Sequence, residues 1–141
     1  MSYTERFTEV HYPLGLIPSE DYTMVQYTEY VSLMNYHRAV AVIHFGTIAG
    51  TVTAGLQQAT DTSGTGVKAI TGKTITQLAA TDDEAIVAIE LRTEELDVDG
   101  GFDCVRLYVT PVANSQFSAI LYGIEPRFMP TGTTNWQEVV A

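Results

Sequence analysis

The apolar residues of this chain occur in short runs that are separated by turn residues, and this pattern strongly restricts its fold. The longest unbroken apolar runs, Ala39–Ile43 and Ala85–Ile89, have five residues each, which is shorter than an amphipathic helix or a membrane span requires. Segments rich in Gly, Pro and Asp interrupt the chain about every 8–12 residues, which is the spacing of strands in β-sandwiches. Thr, Val and Ile supply 42 of the 141 residues, and β-branched side chains favour pleated sheets. The sequence therefore predicts an all-β fold.

Two kinds of pattern predict the individual strands. Arg38–Phe45 and Ala85–Leu91 are apolar almost throughout, as strands covered on both faces are. Thr51–Gln57 and Val105–Val109 alternate apolar and polar residues, as half-buried strands do. Because only a short glycine-bounded segment joins Arg38–Phe45 to Thr51–Gln57, these two strands are predicted to pair as an antiparallel hairpin.

The length fits one domain, a β-sandwich or jelly roll with extended N- and C-terminal arms. The predicted core spans residues 37–125. Residues 1–36 contain six of the eight tyrosines together with Pro13 and Pro18, and they predict an irregular arm with an edge strand near Tyr22–Val31. Residues 126–141 predict a C-terminal tail, because prolines and a glycine break its regularity.

Charge excludes two classes of partner. Lys and Arg number 7 against 17 Asp and Glu, which gives a formal net charge of −10. Nucleic-acid binding requires cations that neutralise phosphates, and a polybasic membrane anchor requires a cationic cluster. We therefore predict no nucleic-acid or membrane partner. The first six residues lack the basic region and apolar run of a secretory signal, so synthesis in a cytoplasm is expected.

The metal-ligating residue types are scarce. Cys104 is the single cysteine, so a cysteine-rich zinc site cannot form within one chain, and a lone strand cysteine is typical of a small buried hydrophobe. His11, His37 and His44 lack the spacing that places two imidazoles on one metal, and His44 is predicted to be partly buried in its strand. No cofactor is predicted.

Three segments resemble known functional motifs, but each motif is incomplete. Gly72-Lys73-Thr74 lies one residue too far from Gly66 to complete a phosphate-binding loop. The segment Asp97–Gly100 lacks the later ligands of an EF-hand, although a non-EF calcium site with Asp82, Asp83 or Asp103 stays open. The acidic segment 90–99 could supply paired carboxylates only at a defined separation, and a solvated acidic loop is the simpler interpretation. Because the sequence shows no recognisable set of catalytic residues, we predict that the chain is not an enzyme.

Two stretches carry a resemblance to a known family. The first is Leu56–Lys68, which continues into Gly72–Leu78, and the second is Ile89–Phe102, which continues into Val105–Leu107. Both are similar to a family of small structural proteins of tailed bacteriophages that are encoded near the head genes. The resemblance covers roughly residues 30–130 of the chain. It is a likeness of whole segments, so no binding residue is carried over.

The resemblance implies a virion component, above all a head decoration (cement) protein. Such proteins are often β-rich trimers that bind the outer capsid where major capsid subunits meet. The implied partners are the major capsid protein and further copies of this chain, as a homotrimer, and the implied location is the capsid outer surface after synthesis in the host cytoplasm. A chain of charge −10 also favours the outside of a capsid over its DNA-filled lumen.

Two other functions stay open. A head–tail connector or tail structural component would share the same virion resemblance. A carbohydrate-binding β-sandwich would instead use exposed aromatic residues and acidic turns. Because aromatic side chains dominate interface energetics, the irregular ends predict the interface residues, with packing against the chain's own core as the alternative. These residues are Tyr3, Phe7, Tyr12, Phe128 and Trp136.

Overall fold

A computed structural model describes residues 6–128 and 135–140, and within these residues nine β-strands form two sheets. A four-residue helix, α1, precedes the first strand, and a 3₁₀ turn at Thr93–Glu95 follows the seventh. The bounds are α1 Phe7–Val10, β1 His11–Tyr22, β2 Gln26–Tyr27, β3 Val31–Ser32, β4 Tyr36–Ile48, β5 Val52–Ala59, β6 Lys68–Thr74, β7 Ile86–Arg92, β8 Cys104–Pro111 and β9 Ser115–Pro126.

The strand order is that of a jelly roll. Sheet A runs β1-β9-β4-β7, and sheet B runs β2-β8-β5-β6 with β3 also paired to β8. Every pairing is antiparallel. Apart from β2–β3 and β5–β6, successive strands lie in opposite sheets, which is the double Greek-key connectivity of a jelly roll. The predicted all-β sandwich is confirmed.

The core lies between the two sheets, on the faces that period-2 alternation turns inward. The alternation read from Val105–Val109 is the alternation observed in β8, where Arg106 and Tyr108 lie on the outer face. Burial of these apolar faces is the main favourable term in folding, at about 25 cal/mol per Å². Fully buried side chains from the central strands include Ala39, Ala41, Ile43, Phe45, Leu56, Val105, Leu107 and Val109.

The predicted hairpin of Arg38–Phe45 with Thr51–Gln57 is wrong. β4 pairs with β7 and β9, whereas β5 pairs with β6 and β8 in the other sheet. The short connection between β4 and β5 crosses from one sheet to the other. A local pattern shows that a strand forms and which residues share a face, but it does not encode which sheet the strand joins.

The N-terminal segment is more regular than its prolines indicate. β1 is a 12-residue edge strand paired with β9, with register shifts between Pro13 and Gly15 and between Ile17 and Glu20. An edge strand tolerates proline because its free side needs no N–H donor. The predicted Tyr22–Val31 segment holds the two-residue strand β2, which is an edge strand of sheet B, and the longer edge strand β1 comes before it.

A buried threonine fastens this N-terminal region to sheet B. Thr28 is 3% exposed, and its hydroxyl accepts a hydrogen bond from the Leu107 amide at 2.9 Å. The Thr28 amide in turn donates to the Leu107 carbonyl.

In the part of the chain that the structure covers, no helix has the length and apolar character needed to traverse a membrane.

Candidate interaction surfaces

The middle of the outer face of sheet A is apolar, although one face of an antiparallel sheet is commonly polar and solvated. Arg38, Glu90 and Arg92 lie on the same face towards one end of the strands, and His44 lies towards the other end. In β4, Ala41 and Ile43 are fully buried against sheet B, whereas Val40 and Val42 alternate with them on the outer face and are half-buried. In β7, the outward residue Ala88 is exposed. The continuous apolar runs of the sequence therefore supply a core face and an apolar outer face, and the predicted burial of β4 on both faces is only half correct.

Four outward residues form one row across all four strands of sheet A. Leu16 of β1 pairs with Ile120 of β9. Ile120 pairs with Val42 of β4, and Val42 pairs with Ala88 of β7. Directly opposed residues have Cβ atoms about 4.5–5.5 Å apart, so the row is continuous. We call these four residues the apolar row.

Solvent reaches much of this surface. Leu16 is 61% exposed, and Ile86, one step away from the row on β7, is 72% exposed. The charged and titratable neighbours lie outside the row, with Glu90 opposite Val40 and His44 opposite Ile86. A contiguous exposed apolar patch marks an interaction site more often than scattered apolar residues do.

Segments from both ends of the described chain pack beside the apolar row. The Phe7 ring stacks on His11 with centroids 4.2 Å apart and meets Tyr122 of β9 edge-on at 5.9 Å. Trp136 lines a groove of about 350 Å³ together with Leu16 and Ile120. These contacts occupy the β1 side of sheet A, while Ala88 at the β7 end stays exposed.

The structure brings three of the five predicted interface residues together. Phe7, Tyr12 and Trp136 all lie along β1, and the Tyr12 hydroxyl accepts a hydrogen bond from the Asn135 amide at 3.0 Å. The contacts described here are within the chain, and an interface role for these residues stays a prediction. Phe128 is 76% exposed. Tyr3 lies outside the described residues.

The outer face of sheet B has a different character. Tyr27 of β2 pairs with Tyr108 of β8, and Arg106 lies two residues along β8 on the same face. The guanidinium carbon of Arg106 is 3.8 Å from the centre of the Tyr27 ring and 4.6 Å from that of Tyr30. Its Nε donates a hydrogen bond to Gln57 Oε1 at 2.8 Å. We call Tyr27, Tyr30, Arg106 and Tyr108 the tyrosine–arginine platform.

Two glycines give the platform its shape. Gly55 pairs with Tyr108, and a Cβ at Gly55 would lie 2.7 Å from the Tyr108 hydroxyl oxygen. The absent side chain therefore lets the phenol extend over β5. Gly64 adopts φ +87°, which favours glycine, and a Cβ there would lie 2.5 Å from a ring carbon of Tyr30. Both positions admit an aromatic ring that any larger residue would displace.

The predicted acidic segment braces the loop between β7 and β8. Lys68 Nζ lies 2.6 Å from Asp97 Oδ2, and Lys73 Nζ lies 2.6 Å from Glu95 Oε2. The hydrogen bond from Lys68, followed by one from the Gly100 amide, lowers the pKa of Asp97, and the hydrogen bond from Lys73 lowers the pKa of Glu95. These two carboxylates are engaged in holding the loop.

Cys104, His44 and Asp83 were considered above as candidate functional residues, and the structure shows where each of them lies. Cys104 is 2% exposed, and burial, with a smaller contribution from its hydrogen bond to Asp103, raises the pKa of its thiol to about 11, which fits the predicted small hydrophobe. His44 is exposed on the outer face of sheet A, so its predicted partial burial is wrong. The Asp83 carboxylate accepts a hydrogen bond from the Ile48 amide at 2.8 Å.

Residues 6–128 and 135–140 hold no group of three or more His, Cys, Asp or Glu that could bind a metal ion.

Comparisons with known proteins give no family. No family model matches the chain, and no curated protein matches it. A crystal structure of PirA is 19% identical, with 74% of this chain and 92% of that chain covered and a TM-score of 0.43. A structure of infectious bursal disease virus, Gt strain, is 10% identical, with 92% of this chain and 42% of that chain covered and a TM-score of 0.23. Both TM-scores are below 0.5, so no argument rests on these similarities.

Sequence reasoning missed both outer surfaces. The apolar row had a signal, because Ala39–Ile43 and Ala85–Ile89 are apolar at every position and a strand needs only alternate positions for one core face. The tyrosine–arginine platform had none, because Tyr27 and Arg106 are brought together only by the pairing of β2 with β8.

Proposed function

We propose that this protein is a structural component of a tailed-bacteriophage virion, a head decoration (cement) protein that binds the outer surface of the capsid. The resemblance to phage structural proteins motivates the virion assignment, and it is carried by Leu56–Lys68 with Gly72–Leu78 and by Ile89–Phe102 with Val105–Leu107. The apolar row on sheet A is the observation that carries a binding role. A protein that acts by docking needs such a surface, and it needs no reactive groups.

The apolar row supports contact with the major capsid protein. Leu16, Ile120, Val42 and Ala88 present apolar side chains without an intervening charge. Burying such a surface on a lattice is favourable at about 25 cal/mol per Å² before the costs of association. A protein that binds the assembled lattice and not its separate parts stabilises the lattice by mass action.

Charge supports the outer surface as the location. The net charge of −10 opposes contact with packaged DNA. The acidic loop that holds Asp97 and Glu95 lies outside the apolar row. The carboxylates of this loop therefore do not lie within the surface that we propose docks on the capsid. We propose the virion exterior as the final location, the homotrimer as the assembly state, and no enzymatic activity.

Binding to capsids tests the proposal. Purified protein is mixed with mature heads that lack it, and bound protein is measured after sedimentation. We expect saturable binding and a higher temperature of head disruption. Ala88→Glu places a charge in the apolar row and should weaken binding more than tenfold, whereas Thr71→Glu places the same charge at an exposed position of sheet B and should leave it unchanged. Failure of the wild-type protein to bind, or equal loss in both variants, would overturn the proposal.

Two further measurements separate the related alternatives. Light scattering coupled to size-exclusion chromatography should give three times the monomer mass, and a monomer would contradict the proposed assembly state. Gold-labelled antibody should mark the whole head surface. Label confined to one vertex or to the tail would instead identify a head–tail connector or tail component.

A further inference from the structure

We propose that the tyrosine–arginine platform on sheet B is a binding site for neutral saccharides. The pyranose ring of a sugar has a face of C–H groups and a rim of hydroxyls. A tyrosine ring offers a flat apolar surface with a polar tip, and Tyr27 is 46% exposed. Tyr108 lies directly opposite Tyr27 across the strand pair, so both phenol side chains lie on the same outer face of sheet B.

Arg106 supplies the polar half of the site. Its Nε–H is donated to Gln57, and among the described residues no carboxylate pairs with it and no acceptor takes its terminal N–H groups. Guanidinium N–H groups in a fixed plane suit hydroxyl oxygens at defined positions. Because two aromatic rings and Gln57 already hold the side chain, little rotamer entropy would be lost on binding.

The shape of the face favours an extended chain of sugars over an enclosed small molecule. The row that begins with Tyr27 and Tyr108 continues through Gly55 to Thr74 of β6. The Tyr108 phenol extends over Gly55, and the Thr74 hydroxyl borders the same position from β6, so hydroxyl groups continue across the sheet beyond the aromatic pair. Thr53 and Thr74 adjoin Gly55 on this outer face and offer hydroxyls along the same path.

Charge selects the class of saccharide. Polyanionic chains would meet a protein of net charge −10 and gain one unpaired cation at the platform, so repulsion outweighs the gain. Neutral hydroxyl-rich chains meet no such barrier. The platform and the apolar row lie on opposite sheets, so both surfaces can be occupied at once, and saccharide binding does not depend on the proposed function.

The platform contacts have a second effect, which the test must separate from binding. Arg106 of β8 stacks on Tyr27 of β2 and on Tyr30 beyond it, so these contacts also fasten a two-residue strand to sheet B. A change that simply loosens β2 could abolish binding without any direct contact to a sugar. A substitution that keeps the ring, Tyr27→Phe, and a measurement that maps the bound surface are therefore both needed.

The experiment uses the purified full chain and an array of immobilised neutral oligosaccharides that includes cellohexaose, maltohexaose and chitohexaose, with polygalacturonate as the acidic comparison. We expect binding to at least one neutral chain and none to polygalacturonate. Tyr27→Ala and Arg106→Met should each weaken it about tenfold or more, and Tyr27→Phe should retain it. Val112→Ala removes an exposed apolar side chain in the turn between β8 and β9 and should leave saccharide binding unchanged.

Nuclear magnetic resonance locates the bound sugar whatever the stability of the variants. Titration of the best array ligand into ¹⁵N-labelled wild-type protein should shift amide signals of β2, β5 and β8. No binding to any neutral chain, stronger binding to polygalacturonate, or shifts confined to sheet A would overturn the proposal. Tyr27→Ala should still bind capsids, so a failure of saccharide binding is distinguishable from a failure of the decoration role.

Discussion

The two outer faces of the jelly roll differ in chemical character, although the inner faces of both sheets are apolar. On sheet A, Val42 and Ala88 continue the apolar character of the core onto the solvent side. On sheet B, the outward residues Arg106 and Tyr108 are polar or amphipathic, and Arg106 is held by partners from its own chain. The outer face of sheet B is supported by contacts within the chain, whereas the outer face of sheet A is exposed at its β7 end. The difference shows that an apolar run longer than a core requires places apolar residues on a solvent-facing surface, which is the surface that we propose binds a partner.

The largest expected effect comes from shortening two neighbouring residues of β4 whose side chains face opposite sides of sheet A. Ile43→Ala should lower the free energy of unfolding by about 2–5 kcal/mol, because a fully buried side chain leaves a cavity. Val42→Ala, on the half-buried outer face, should cost about 1 kcal/mol or less. Urea unfolding monitored by circular dichroism measures both. Equal losses would mean that the apolar row is already covered within the monomer.

The second prediction concerns the contacts within the chain that support the outer face of sheet B. Arg106→Met keeps the aliphatic stem and removes the stacked guanidinium, and it should cost about 1 kcal/mol. Arg92→Met on sheet A is the matched control, because Arg92 meets Glu94 at 3.7 Å with its side chain 60% exposed, and such pairs contribute little. An unchanged free energy of unfolding in Arg106→Met would show that the platform contacts contribute no net stability.

The third and smallest expected effect concerns acid. The folded state holds the pKa of Asp97 below its usual range, chiefly through the hydrogen bond from Lys68. Its contribution to stability is therefore complete above the unfolded pKa of about 4 and is lost as the pH falls through the lower folded value. Asp97→Asn should reduce the loss of stability below about pH 4, as measured by thermal unfolding at several pH values. Asp99→Asn, an exposed change in the same loop, is the control, and identical profiles would contradict the assignment.

Local features of the fold were predictable because short-range chemistry decides them. Val105, Leu107 and Val109 alternate with polar residues, and this alternation alone assigns the inner face of β8. The strands predicted at Arg38–Phe45 and Ala85–Leu91 are observed as β4 and β7. Each depends on residues that are close together in the chain.

Features that depend on distant pairing were not predictable from one sequence. The hairpin prediction for β4 and β5 failed because a short connection can either fold back within a sheet or cross to the other one. The irregular-arm prediction missed most of β1 because Pro13 and Pro18 disfavour a central strand but not an edge strand. The tyrosine–arginine platform joins Tyr27 to Arg106, which are far apart in sequence.

The placement of α1 and Trp136 beside the apolar row has a practical consequence for handling the protein. An affinity tag or a fusion partner attached near either of these segments would hang over sheet A and could mask the surface proposed to dock. The turn between β8 and β9, where Val112 is 71% exposed, is a better place for a label. An insertion there would leave both segments, and the surface beside them, as the native chain presents them.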